Sequence, residues 1–318
     1  MNITVVGCGR WGSFIAWYLD KINHNVTLYG RENSVHMSKL ISDRKNEFIE
    51  LTNTLKLSTN PECIIKSDII VISINSQGLQ ALMEELKSLN LRDKIIVLCM
   101  KGIEISTGRR LSQIVKENLD DSISVTVWLG PGHVQEFYRG IPNCMVIDSE
   151  NDLVKEKLVN EFSSELIRFY YGQDLIGNEI GAAAKNVIVI AAGMLDGLKL
   201  STLKGALMSR GTREIARLIT AMGGNELSAY GLCHLGDYEA TVFSEFSHNR
   251  KYGEMFVQGV KYEKLAEGHY TVKALLKLEE NYDVELPICN AVYDILYNNK
   301  NSKDVLNNLF TRSLKKEF

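Results

Sequence analysis

Residues 1–12 read MNITVVGCGRWG. A β-branched run at 3–6 leads straight into Gly7-Cys8-Gly9-Arg10-Trp11-Gly12. Beyond it Trp11, Phe14, Ile15, Tyr18, Leu19 and Ile22 recur at helical spacing. Strand, glycine turn and helix is the order in which G-x-G-x-x-G has a physical meaning. Gly7 permits the tight turn, Gly9 lets a pyrophosphate approach the backbone, and Gly12 allows helix and strand to pack closely. The helix start then offers N–H groups and a positive dipole end to phosphate. A glycine turn alone could be a mere connection, but this context predicts a dinucleotide site.

Further along, residues 26–29, 68–74, 94–98, 124–128 and 144–147 also read as strands, several of them nearly all apolar. Such runs suit parallel strands covered on both faces, and their alternation with helical patterns predicts a doubly wound sheet. The pattern changes after Phe169-Tyr170-Tyr171-Gly172. From there it is helical: Ile215, Leu218, Ile219 and Met222 share a face before a Gly223-Gly224 stop, and Pro287 marks a break. The expected fold is α/β: an N-terminal Rossmann-like doubly wound sheet over 1–175, then an all-helical domain over 176–318 for substrate and catalysis.

The 318 residues can bury a sizeable core without a metal or disulfides. A net charge of −3 gives no reason to expect nucleic acid as a partner. The six cysteines form no CxxC pair, and the histidines show no metal-ligand spacing, so no metal is expected. The chain begins in a strand, so no signal peptide is expected. No apolar run is counted that reaches the roughly 18 to 20 residues of a membrane span. A reduced, cytoplasmic setting without stable membrane insertion is the expectation.

Cofactor preference is read after the second strand, where Tyr29-Gly30-Arg31-Glu32 stands. Arg31 could pair with a 2′-phosphate; Glu32 could instead bind a ribose 2′-hydroxyl. NADP is favoured over NAD on Arg31, and the alternative that both are solvated loop charges stays open. In 181–193, GAAAKNVIVIAAG, a single lysine sits with Asn186 in a small, apolar run. Lys185 must find a partner, reach water along its stem, or lose its proton. Lys101 follows the apolar run 95–100, at the strand end where ligands sit in open parallel sheets.

Taken together, GCGRWG, KGIE (101–104), GPG (130–132), AAAKNVIVIAAG (182–193), SRGTREIARL (209–218), GLCHLGD (231–237), SHNRKYGE (247–254) and LAEGHYT (265–271) resemble the NAD(P)-dependent glycerol-3-phosphate dehydrogenases. The resemblance covers nearly the whole chain. It implies reversible reduction of dihydroxyacetone phosphate to sn-glycerol 3-phosphate for phospholipid synthesis, a small phosphorylated substrate, and a homodimer. Lys185 matches the family's catalytic lysine, with Lys101 and Asp237 beside it in role. Asn186, Thr241, Ser247, His248, Asn249 and Arg250 fall on the substrate side. Gly7, Gly9, Arg10, Trp11, Gly12, Arg31, Lys101, Gly130, Val134 and Glu267 fall on the cofactor side.

Some positions depart from the family pattern. His248 replaces an arginine of Ser-Arg-Asn-Arg, Asn75 a proline, and Leu129 and Gly132 small hydroxyl residues. As an imidazolium, with a pKa of ~6.5 when unperturbed, His248 would hold a phosphate more tightly as pH falls. These changes leave open another small hydroxy acid or polyol phosphate as substrate. A nucleotide-binding sensor without turnover is a further alternative.

Overall fold

The computed structural model describes residues 1–311. The chain divides into two compact units: Met1–Lys101 with Arg109–Glu179, and Gly102–Gly108 with the chain from Ile180 on. The first unit is built on one sheet: β1 (Asn2–Val6), β2 (Asn25–Tyr29), β3 (Lys56–Ser58), β4 (Ile69–Ile72), β5 (Ile95–Leu98), β6 (Ser124–Leu129), β7 (Asn143–Ser149) and β8 (Ile167–Tyr171). Their order is β3-β2-β1-β4-β5-β6-β7-β8. Every residue of β4 is buried, as expected of an apolar strand covered on both faces. The sheet is Rossmann-like, and the regular elements of the second unit's described residues are all helices.

Strand β1 lies between β2 and β4, so the strand order reverses beside it. Val6 pairs with both Tyr29 and Ile72, which sets Gly7, Gly30 and Ser73 along one carboxyl edge. That edge at a reversal point is where open α/β sheets bind ligands.

The sheet is parallel from β3 to β6, but β7 runs antiparallel to β6. An all-parallel sheet was the sequence expectation. The connection from β6 contains only a five-residue helix, Val134–Tyr138, about 7.5 Å long. That is too short to carry the chain back along β6, so it re-enters from the same end. The edge strands β3 and β8 were not legible either. The first has three residues, and Arg168, Tyr170 and Tyr171 of the second face solvent.

One expectation is corrected outright. The helix Leu175–Gly197 is long and apolar enough to cross a membrane by length and composition. It is a core helix instead, with 89% of its apolar window buried inside the protein. Backbone-to-backbone packing explains its small residues. A Cβ on Gly193 would lie 1.9 Å from the Arg250 carbonyl oxygen, and one on Gly253 2.1 Å from that of Ile190. The helices Leu175–Gly197 and His248–Val257 therefore cross with a glycine lent by each.

Candidate active site

In the first unit the glycine turn closes between β1 and the helix Arg10–Lys21. Gly7 has φ +113°, and a Cβ there would meet the Ser73 carbonyl oxygen at 2.2 Å. A Cβ on Gly12 would meet the Gly7 carbonyl oxygen at 1.9 Å. Protein contacts thus account for both. Gly9 differs: its φ of −74° suits any residue, and a Cβ there would meet nothing within 4 Å. Among the described residues nothing requires glycine at this point, so a group from outside the chain that presses on the backbone fits there. The helix start has no side-chain cap and no acidic residue in its first turn, which suits a phosphate. This cradle fits a dinucleotide.

Around the turn, Trp11 packs against Phe14 and Phe137, and the Arg10 guanidinium lies over the Phe48 ring. Arg31 Nη2 meets Glu85 Oε1 at 2.7 Å, with both side chains more than half exposed. Lys101 Nζ donates to the Gly130 carbonyl at 2.7 Å, and Gly130 itself has φ +131°. Val134 is buried at the start of its short helix. Asn75 accepts from the Gln77 amide and so caps the turn it begins, a task a proline there could not perform.

In the second unit Lys185 is brought against Asp237, Nζ to Oδ2 at 3.0 Å, with only 6% and 3% of the two side chains exposed. Lys185 Nζ also donates to Thr241 Oγ1 at 3.1 Å. Asp237 and Thr241 stand four residues apart on the helix Leu235–Val242, hence on one face. The buried cation has the partner that its place in an apolar run demands.

Beside it, one backbone donor orients two amides. The Gly268 N–H donates to Asn249 Oδ1 at 2.9 Å, so Asn249 must present its Nδ2, which donates to Asn186 Oδ1 at 3.0 Å. Asn186 is thereby left with its Nδ2 outward from the pair, buried and without a hydrogen-bond partner among the described residues. A buried amide N–H without a partner carries a cost that a ligand oxygen would relieve.

Known proteins match both parts of the chain. Residues 2–154 match the N-terminal part, and residues 174–307 the C-terminal part, of the NAD-dependent glycerol-3-phosphate dehydrogenases. The chain belongs to that family. It is 34% identical to a glycerol-3-phosphate dehydrogenase [NAD(P)+] of Thermoanaerobacter sp. (strain X514), over all of this chain and 99% of that one. To the enzyme of the same description from Fusobacterium nucleatum it is 35% identical, over all of this chain and 98% of the other. The crystal structure of glycerol-3-phosphate dehydrogenase from Coxiella burnetii superposes with a TM-score of 0.92 at 26% identity, covering 98% of each chain.

Within this dehydrogenase framework the remaining positions are placed as follows. Ser247 caps the helix His248–Val257, its hydroxyl accepting from the Arg250 amide at 3.2 Å. His248 Nδ1 is hydrogen-bonded to the Tyr262 hydroxyl. The Arg250 guanidinium is committed to Asp196 at 2.8 Å, Glu254 at 3.2 Å and the Ser244 carbonyl at 3.3 Å. Glu267 opens the helix Glu267–Tyr282.

Two buried groups had no place in the sequence reading. Glu214 accepts from the Ile288 and Cys289 amides at 2.8 and 3.0 Å, closing the start of the helix Pro287–Tyr297. Burial pushes its carboxyl up to about 7, against the pull of those two amides. His234 is fully buried against Gly181. Its only signal was membership, with Asp237, of the segment GLCHLGD.

Proposed function

We propose that this chain catalyses the NAD(P)H-dependent, reversible reduction of dihydroxyacetone phosphate to sn-glycerol 3-phosphate, with Lys185 as general acid and, in the reverse direction, general base. The observation that carries this reading is the buried Lys185–Asp237 pair with Thr241 on its flank, in a chain of this family. Ketone reduction puts a hydride on the carbonyl carbon and a proton on its oxygen. A reduced nicotinamide, when bound, supplies the hydride. Lys185 Nζ delivers the proton to that oxygen, while Asp237 keeps the ammonium oriented and balances its charge. The outward Nδ2 of Asn186 donates to a substrate oxygen.

The phosphate belongs, in this reading, at the start of the helix His248–Val257, where Asn249, the His248 ring and the helix dipole favour an anion. Arg250 serves by holding that helix to Asp196. Gly7, Gly9 and Gly12 with the helix start hold the cofactor's pyrophosphate. An exposed ion pair is weak, so Arg31 can leave Glu85 for a 2′-phosphate, which favours NADP.

The test follows the absorbance of NADPH, then NADH, with dihydroxyacetone phosphate, for wild type beside Lys185→Met. Wild type should oxidise the cofactor, and the variant should lose about a thousandfold in kcat with unchanged cofactor affinity. Tight cofactor binding without oxidation would reject the substrate. An unimpaired Lys185→Met would reject the role of the lysine.

A further inference from the structure

His234 stands immediately before the helix Leu235–Val242, with φ −122° and ψ −82°, and has no exposed surface. Its Nδ1 lies 2.7 Å from the Gly181 carbonyl oxygen. A carbonyl only accepts, so Nδ1 carries the proton and Nε2 of the neutral ring is a bare lone pair. That Nε2 has no hydrogen-bond partner among the described residues, and the ring packs on Tyr238 with centroids 4.4 Å apart. A second proton would bury an unpartnered N–H and set a cation near Lys185.

The acceptor matters as much as the donor. Gly181 lies one helical turn before Lys185, and in the i→i−4 ladder its carbonyl also takes the Lys185 amide. A Cβ on Gly181 would come within 2.9 Å of His234 Cβ, so glycine lets the two elements close at this point. One side-chain hydrogen bond therefore joins the turn that carries Lys185 to the start of the helix that carries Asp237 and Thr241.

We propose that His234 is a positioning residue, whose Nδ1–H fixes the register between these two helices so that Asp237 and Thr241 meet Lys185 Nζ. The inference rests on the reading of Lys185 as acid and base. The charged or titratable groups facing the ring are Lys185 from the helix Leu175–Gly197, and Asp237 and Tyr238 from the helix that follows it. Burial pushes the imidazole down to about 4; the Gly181 carbonyl and Asp237 oppose this, and Lys185 adds to it. The ring thus stays neutral through the working range and leaves Asp237 to Lys185.

Two amide substitutions in the full-length enzyme separate the nitrogens. His234→Asn sets an N–H where Nδ1 stood, and His234→Gln reaches the position of Nε2. Asn should keep kcat within about threefold and leave the pH limb set by Lys185 in place, whereas Gln should lower kcat about 10- to 100-fold and move that limb. Two variants alike in both readouts, active or inactive, would overturn the proposal. If Gln melts far below wild type, the Asn variant decides alone: an unmoved limb supports the proposal and a shifted one overturns it. Lys185→Met is run alongside. If it turns over normally, the reading of Lys185 fails and His234 with it; if it is dead, a failure belongs to His234 alone.

Discussion

A lysine and an aspartate that leave water together each give up hydration worth several kcal/mol, and regain it only in a well-made contact. Lys185 and Asp237 meet that condition, with Thr241 as a further acceptor. Removing one partner should therefore hurt more than removing both. Asp237→Asn should cost about 3 kcal/mol of stability, and Lys185→Met/Asp237→Leu should recover most of it. Urea midpoints decide; a double variant no more stable than the single one would place the cost elsewhere. The sequence marked Lys185 by its apolar surroundings, and the family resemblance set Asp237 beside it in role. The geometry of their contact was out of reach, because 52 positions of chain separate 185 from 237 and only folding brings them together. The orientation of Asn186 was equally hidden, since it is decided by the backbone amide of Gly268.

At the scale of elements, the strand–turn–helix of residues 1–21 was legible because each part is local: β-branched residues, three glycines, then helical periodicity. Its glycines do different work, as the G-x-G-x-x-G spacing already assigned them. Gly9→Ala should leave the melting temperature unchanged while the dissociation constant for NADPH rises about tenfold, because the added methyl meets only the ligand. Gly12→Ala should lower the melting temperature, because its methyl meets the Gly7 carbonyl. Scanning calorimetry beside a fluorescence titration separates the two, and equal loss of stability in both would contradict it. The reversal at β7 was not legible, since the length of the connecting helix settles it and not the composition of the strand.

Across the whole molecule, two buried groups oppose each other in how stability depends on pH. Glu214 is raised from 4.5 to about 7, so the folded chain binds the proton more tightly than the unfolded one. Its contribution is fully present below about 4.5 and is lost as pH rises toward 7, on the order of 3 kcal/mol at about 1.4 kcal/mol per unit. His234 is lowered from 6.5 to about 4, and its contribution is present above 6.5 and lost as pH falls toward 4. The two slopes largely cancel between about 4.5 and 6.5. Glu214→Gln should therefore make stability climb with pH across that window by more than wild type does. Denaturation curves at several pH values check it; a difference from wild type that is independent of pH would refute it.

What the sequence by itself determined is whatever neighbours in the chain can specify: the glycine turn and its strand and helix, the change from alternating to helical pattern, and the motifs that place the chain in its family. Tertiary structure alone decided that Gly102–Gly108 joins the second unit, that an apolar 23-residue helix lies in a protein core, and that Lys185 is answered by Asp237. The physical reason is common to all three. Burial and charge pairing depend on which surfaces meet, and that is set by packing between segments far apart in the chain.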